Sequence, residues 1–247
     1  MEEAKTLMAG PFGEELHRIV ANHMTWLVFG TVGPTGEAIG LQNGTCFFVK
    51  TPLRLLGVTA RHVLDGLRRA READPNTRSQ IGNLLIDPLE RVVGQGDKAD
   101  IATFEISSEE LGEIGKVPIS LWPPHPPDVD DKGVLLAGYP AKATISASSH
   151  SRCFGIYAAS GVAQRVTDWQ LTCRIEWENT QKSTLGALPP RNFETGGMSG
   201  GPVLSIREKN GILSFPLAGV ISEGDAATDT IIAERADSIR PNGDIRC

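Results

Sequence analysis

The chain has 247 residues, with 24 Lys and Arg against 30 Asp and Glu, and carries a formal charge of −6 at pH 7. That acidity argues against nucleic acid as a partner. A hydrophobic share of 40% with 22% charged residues excludes a disordered or collagen-like chain, and 27 Gly with 16 Pro favour short strands joined by turns.

Met1 to Lys5 is net acidic and no compact apolar stretch follows, so no secretory leader is expected. The longest segment free of Asp, Glu, Lys and Arg, residues 19–36, contains Asn22, His23, Thr25 and Gly36 and does not read as a membrane helix. Cytoplasmic location without membrane attachment is the expectation. Cys46, Cys153, Cys173 and Cys247 form no CxxC pair and no metal-ligand spacing, so reduced thiols are expected, with no metal and no cofactor.

Residues 1–23 read as an extension, helical over 11–23, with Leu16, Ile19 and Val20 on one face. From Met24 the pattern changes. Short apolar runs at 26–29, 46–49, 55–59, 81–86, 91–93 and 101–106 predict antiparallel strands, interrupted by a helix over 60–73 with Val63, Leu64 and Leu67 at helical spacing. Residues 118–132 hold five prolines and read as a linker, because proline cannot supply the amides of a central strand. A second set follows at 133–138, 153–163, 170–177, 201–206, 212–221 and 228–233, and 236–247 reads as a polar tail that frays. The expected fold is all-β: two six-stranded antiparallel β-barrels, residues 24–117 and 133–235, with a few short helices.

The segment Gly196-Gly197-Met198-Ser199-Gly200-Gly201-Pro202 is the most informative. A chance G-x-S-G-G-P in a chain of this length is about one in several thousand. Glycines on both sides let the backbone turn sharply and let a carbonyl approach main-chain N–H groups. The same residues fit the nucleophile elbow of α/β-hydrolases, but that order needs a histidine after Ser199, and the five histidines, His17, His23, His62, His125 and His150, all precede it. No Asp precedes His62, which removes the subtilisin order.

The order His, Asp, Ser remains. His62 lies where an apolar strand meets a helix, a rigid place for a base, whereas His125 sits among prolines and His150 in a polar stretch. Asp100 opens the alternating strand Asp100-Ile101-Ala102-Thr103-Phe104, where it can turn inward as the orienting acid. Its competitor, Asp97, sits beside Lys98 in a turn and reads as a solvated charge.

Thr59-Ala60-Arg61-His62-Val63, Asp100-Ile101-Ala102, Leu136-Ala137-Gly138-Tyr139-Pro140, Gly197-Met198-Ser199-Gly200-Gly201-Pro202 and Leu217-Ala218-Gly219-Val220-Ile221-Ser222 together resemble the trypsin/chymotrypsin-like serine peptidases, nearest to their intracellular or bacterial branch. The resemblance covers residues 24–233. It implies a chymotrypsin-like pair of barrels with the active site between them. Ser199 is then the nucleophile, His62 the base and Asp100 its orienting acid, with the amides of Gly197 and Ser199 as oxyanion hole. It implies that Ser222, Glu223 and Gly224 pair with an extended substrate, that Ser222 also supports Asp100, and that Phe193 stands where trypsin carries its pocket carboxylate. A small or medium apolar P1 residue is expected. No Cys stands directly after His62 to close a disulfide on Cys46, and Met198 replaces the Asp that secreted members pair with a newly cut N-terminus.

The expected function is a serine endopeptidase acting on a protein or peptide substrate. A peptide-binding module on the same fold and a small-ester hydrolase are the alternatives. The loop before Ser199 is expected to be ordered either by apolar packing of Met198 and Phe193 or by an activating or substrate-delivering protein partner. The second is preferred, because switch loops are drawn from low-stability segments.

Overall fold

The computed structural model describes residues 10–34, 36–128, 132–148, 151–175, 195–225 and 228–246. Helix α1 (Pro11–Ala21) starts with a proline, whose missing N–H costs nothing in a first turn, and buries Leu16 and Val20. The first strand set is β1 (Met24–Val32), β2 (Ala38–Lys50), β3 (Leu55–Thr59), β4 (Thr77–Ile81), β5 (Val92–Gln95) and β6 (Ala102–Glu105). Helices α2 (Arg61–Ala73) and α3 (Ser108–Ile114) accompany it. The second set is β7 (Lys132–Gly138), the hairpin β8 (Thr144–Ser148) and β9 (Ser151–Phe154), β10 (Tyr157–Val166), β11 (Gln170–Ile175), β12 (Pro202–Ser205), the hairpin β13 (Arg207–Lys209) and β14 (Ile212–Ser214), β15 (Leu217–Asp225) and β16 (Thr230–Arg235).

The two sets share one plan. The first is an antiparallel sheet in the order β4-β1-β2-β3-β6-β5, and the second is a closed barrel in the order β10-β11-β16-β15-β12-β7. With the strands of each set counted from its own first and the two small hairpins left aside, both read 4-1-2-3-6-5. In the second set the ring closes through β12 and β15. The corresponding pair in the first set, β4 with β5, does not form among the described residues, so the first of the two expected barrels is an open sheet. Residues 82–91 fill the gap: Ser79 Oγ donates to Ile86 O at 2.8 Å, Arg71 pairs with Asp87, and Pro88 opens a 3-10 turn without an amide to offer a ladder.

Alternation along the strands builds three apolar clusters. In β2, Cys46 and Phe48 face the interior of the sheet with Leu64 and Leu67 of α2, while Phe47 and Val49 face the seam between the two units. In β7, Val134 and Leu136 face the barrel interior, while Leu135 and Ala137 face the seam. Leu16 and Val20 of α1 join that seam, so one core is common to both units.

Several elements differ from the sequence expectation. The strand expected at 81–86 lies at Thr77–Ile81, because Gly82 turns at φ 56 and the inward residues Thr77 and Ser79 are polar. Helix α3 was not anticipated, although Ser107 and Glu110 form a reciprocal capping box at its start. Phe215 and Pro216 divide the expected strand 212–221 into β14 and β15. The tail expected to fray is fastened through residue 246: Ile239 and Ile245 are buried, Thr103 Oγ1 donates to Gly243 O at 2.6 Å, and the Arg246 guanidinium stacks on Trp169. Among the described residues no helix is long and apolar enough to cross a membrane.

Candidate active site

Helix α2 begins without a local cap: its N-cap is Ala60, and no acidic residue lies in its first turn. The loop from Gly96 to Asp100 supplies what is missing. Asp100 Oδ1 accepts from the His62 backbone N–H at 2.9 Å, so its carboxylate caps the helix from another segment and meets the positive end of the helix dipole. Arg61 ties the same loop down through Nη1 to Gly96 O at 2.8 Å.

With the carboxylate placed this way, its second oxygen meets the imidazole: His62 Nδ1 and Asp100 Oδ2 are 2.5 Å apart. The His62 side chain is 50% exposed and that of Asp100 23%, leaving the far edge of the ring open to solvent. The hydrogen bond to Asp100 raises the His62 pKa above the ordinary imidazole range. Burial opposes this, and the charges of Asp100, Asp65 and Glu223 reinforce it. For Asp100, burial pushes upward, yet its bonds and charge contact with His62, aided by Arg61, hold the carboxyl below the usual carboxylate range. Asp97 is exposed in its turn.

Ser199 comes from the second unit and is held against the first. Its carbonyl accepts from Thr45 N at 2.9 Å. Gly200, at φ 88, packs so closely on the first unit that an added Cβ would lie 2.1 Å from Thr45 O and 2.9 Å from Ala60 N, beside the start of α2. Gly197, at φ 95, presses likewise on Asn43, Tyr139 O and Ala141 N. Thr45 Oγ1 donates to Gly197 O at 2.9 Å and accepts from Tyr139 N at 2.9 Å. Met198 is fully buried and fills the space over Gly138.

The Gly196 carbonyl turns away to accept from Ala141 N at 2.7 Å, and the amides of Gly197 and Ser199 donate to no described group. Two N–H groups beside one hydroxyl can stabilise an oxyanion. The Ser199 hydroxyl itself donates to Ser222 O at 3.2 Å, with no hydrogen bond to His62 among the described residues. The Ser222 hydroxyl donates to Ile232 O at 3.2 Å instead of supporting Asp100 as the resemblance implied.

Beyond Ser222, Glu223 and Gly224 are exposed, and they pair with β16 on one side only. The β12 ladder stops at Val220, so a free strand edge runs past Ser199 among the described residues. Phe193 lies outside the described residues. Thr45, Asn43 and Thr59, which the sequence reading did not single out, lock the Ser199 loop to the first unit. Thr59 Oγ1 donates to Thr45 O at 2.7 Å, and Asn43 Nδ2 to Tyr139 O at 2.7 Å. Being polar residues on or beside apolar strands, they leave no periodic signal.

No family model and no curated protein matches the chain. Among solved structures, one similar chain comes from work on the coupled folding and binding of the Sesbania mosaic virus VPg protein. It shows 16% identity over 85% of this chain and 84% of that one, at a TM-score of 0.44. Another is a thermostable serine protease, AL20, from an extremophilic microorganism, with 13% identity over 87% of this chain and 91% of that one, at a TM-score of 0.46. The reading of the site rests on its own geometry.

Proposed function

We propose that the chain is a serine endopeptidase with Ser199 as nucleophile, His62 as general base and Asp100 as the orienting acid. The contact between His62 Nδ1 and Asp100 Oδ2 carries this reading, because it leaves the opposite ring nitrogen without a hydrogen bond among the described residues, while the Ser199 loop packs through Gly200 on Ala60, two residues before His62. On substrate binding the Ser199 hydroxyl leaves Ser222 O for His62 Nε2. Oγ attacks the scissile carbonyl as its proton passes to the imidazole, and the Gly197 and Ser199 amides receive the oxyanion. Collapse expels the amine, which takes the proton from His62 and leaves an acyl-enzyme. Water activated by His62 then hydrolyses it. The free edge at 222–224 suits an extended peptide, whose main chain would add as a strand.

The hydrogen bond from Ser199 to Ser222 O favours a second reading, a peptide-binding module whose serine stays parked. A fluorophosphonate probe separates the two: labelling of wild type and not of Ser199→Ala supports the peptidase, and no labelling of folded wild type sinks it. Turnover of small esters with no cleavage of any peptide library would assign the chain to ester hydrolysis. Mapping new protein N-termini in cells with active or Ser199→Ala protein identifies the substrate.

A further inference from the structure

One buried carboxyl beside the site has no part in the reaction just described. Glu234, on β16, is 3% exposed, and among the described residues no Lys or Arg pairs with it. Its Oε1 accepts from Gln170 Nε2 of β11 at 2.9 Å, while Oε2 is buried without a hydrogen-bond partner. A buried carboxylate with a single neutral donor is costly; a buried carboxylic acid needs only one acceptor for its proton. Ser222 lies on the neighbouring strand β15, two residues from Val220, the register partner of Glu234, and its hydroxyl has spent its own proton on Ile232 O, so its lone pairs remain to receive one.

We propose that Glu234 is a positioning residue of the reaction centre: as a neutral acid it turns Oε2 to donate to Ser222 Oγ, fixing the residue whose carbonyl holds Ser199 Oγ. This rests on the peptidase reading. The groups facing Glu234 agree with a neutral state. Gln170 comes from β11, Ser222 and Glu223 from β15, and Asp100 from the loop before β6, while the neighbouring Arg235 is committed to Thr167 O and Asp237. Burial, then the charges of Asp100 and Glu223, raises the Glu234 pKa above the ordinary carboxylate range against the two polar side chains. Were Glu234 ionised, its charge behind Asp100 would favour the His62 imidazolium, the form that cannot act as base.

The test uses the full chain with ¹³C-labelled glutamate and a fluorophosphonate probe. The Glu234 carboxyl signal, assigned by its loss in Glu234→Gln, should titrate above the exposed glutamates of the same molecule. Glu234→Gln, whose amide still donates to Ser222, should label at close to the wild-type rate. Glu234→Met, with its denaturation midpoint checked, should label about tenfold to a hundredfold more slowly. A carboxyl that titrates with the exposed glutamates, a Gln variant as slow as Met, or a Met variant as fast as wild type each overturns the role of Glu234 while wild-type labelling preserves the peptidase reading. Wild type that never labels overturns both.

Discussion

Thr45, on the first sheet, holds Ser199, on the second unit: its backbone N–H donates to the Ser199 carbonyl at 2.9 Å while its hydroxyl bridges Gly197 O and Tyr139 N. Thr45→Val keeps the shape and deletes the bridge, stranding a buried N–H and a carbonyl. The expected loss is about 1–3 kcal/mol of stability in denaturant melts, with slower probe labelling of Ser199. An unchanged labelling rate in the folded variant would assign Thr45 to architecture alone.

Ser199→Ala and His62→Ala should abolish turnover in folded protein, and Asp100→Asn should lower kcat on the order of 10⁴-fold. Because the Asp100 carboxylate also caps α2, Asp100→Ala should cost about 1 kcal/mol more than a surface substitution. Asp97→Asn should change neither rate nor stability. Loss of activity there, with retention in Asp100→Asn, would transfer the acid role to Asp97.

The pH profile follows from the raised His62 pKa. Catalysis needs neutral imidazole, so the acid limb of kcat/KM should lie above the ordinary imidazole range and move to lower pH in whatever activity Asp100→Asn retains. The effect on stability has the opposite sense: the charged His62 pair contributes below the unfolded imidazole pKa, and this is lost as pH rises through the folded value. A limb at or below the ordinary imidazole range would contradict the pairing.

Specificity should favour a small P1 residue. Thr195 stands so close to Gly224 that a Cβ added there would lie 2.0 Å from Thr195 Oγ1 and 3.0 Å from Ile231 Cδ1, and this crowding is the expected wall of a narrow slot beside the free strand edge. A peptide-library profile led by Gly, Ala or Ser is expected, and Thr195→Gly should broaden it toward larger apolar residues. A profile led by Arg, Lys or aromatic residues would refute the narrow slot.

Met198 bears on control. It is fully buried against Gly138, so apolar packing is available to hold the loop. Met198→Ala should cost about 2–5 kcal/mol and slow labelling by disordering the Gly197 amide. If that packing suffices, purified wild type should label without any added partner, and labelling only after one is supplied would support partner-dependent ordering.

The triad candidates were legible in the sequence because glycine spacing and chain order constrain chemistry directly: Gly197, Ser199 and Gly200 are tied to a backbone shape, and the five histidines left few arrangements. Strands that are short, continuous apolar runs, such as 55–59 and 133–138, were legible because both of their faces are buried. Thr45, Thr59 and Glu234 were not, since a polar residue facing inward is defined by partners far away in sequence. The open edge of the first sheet was equally hidden. Closure depends on whether two distant strands meet, and residues 82–91 decide that by filling the gap.

Helix α1 and the segment 239–246 lie at opposite ends of the described chain, and both join the two units. The helix wedges Leu16 and Val20 into the shared core, while the segment returns from the barrel to bond Thr103 of β6 and Thr51 in the connection between β2 and β3. Mechanically this is a double clasp, in which parting the units would have to unseat both straps together. The seam between the unit that carries His62 and the unit that carries Ser199 is therefore fastened by both straps, and under the proposed reading a folded protein should be cut only within a loose, extended loop.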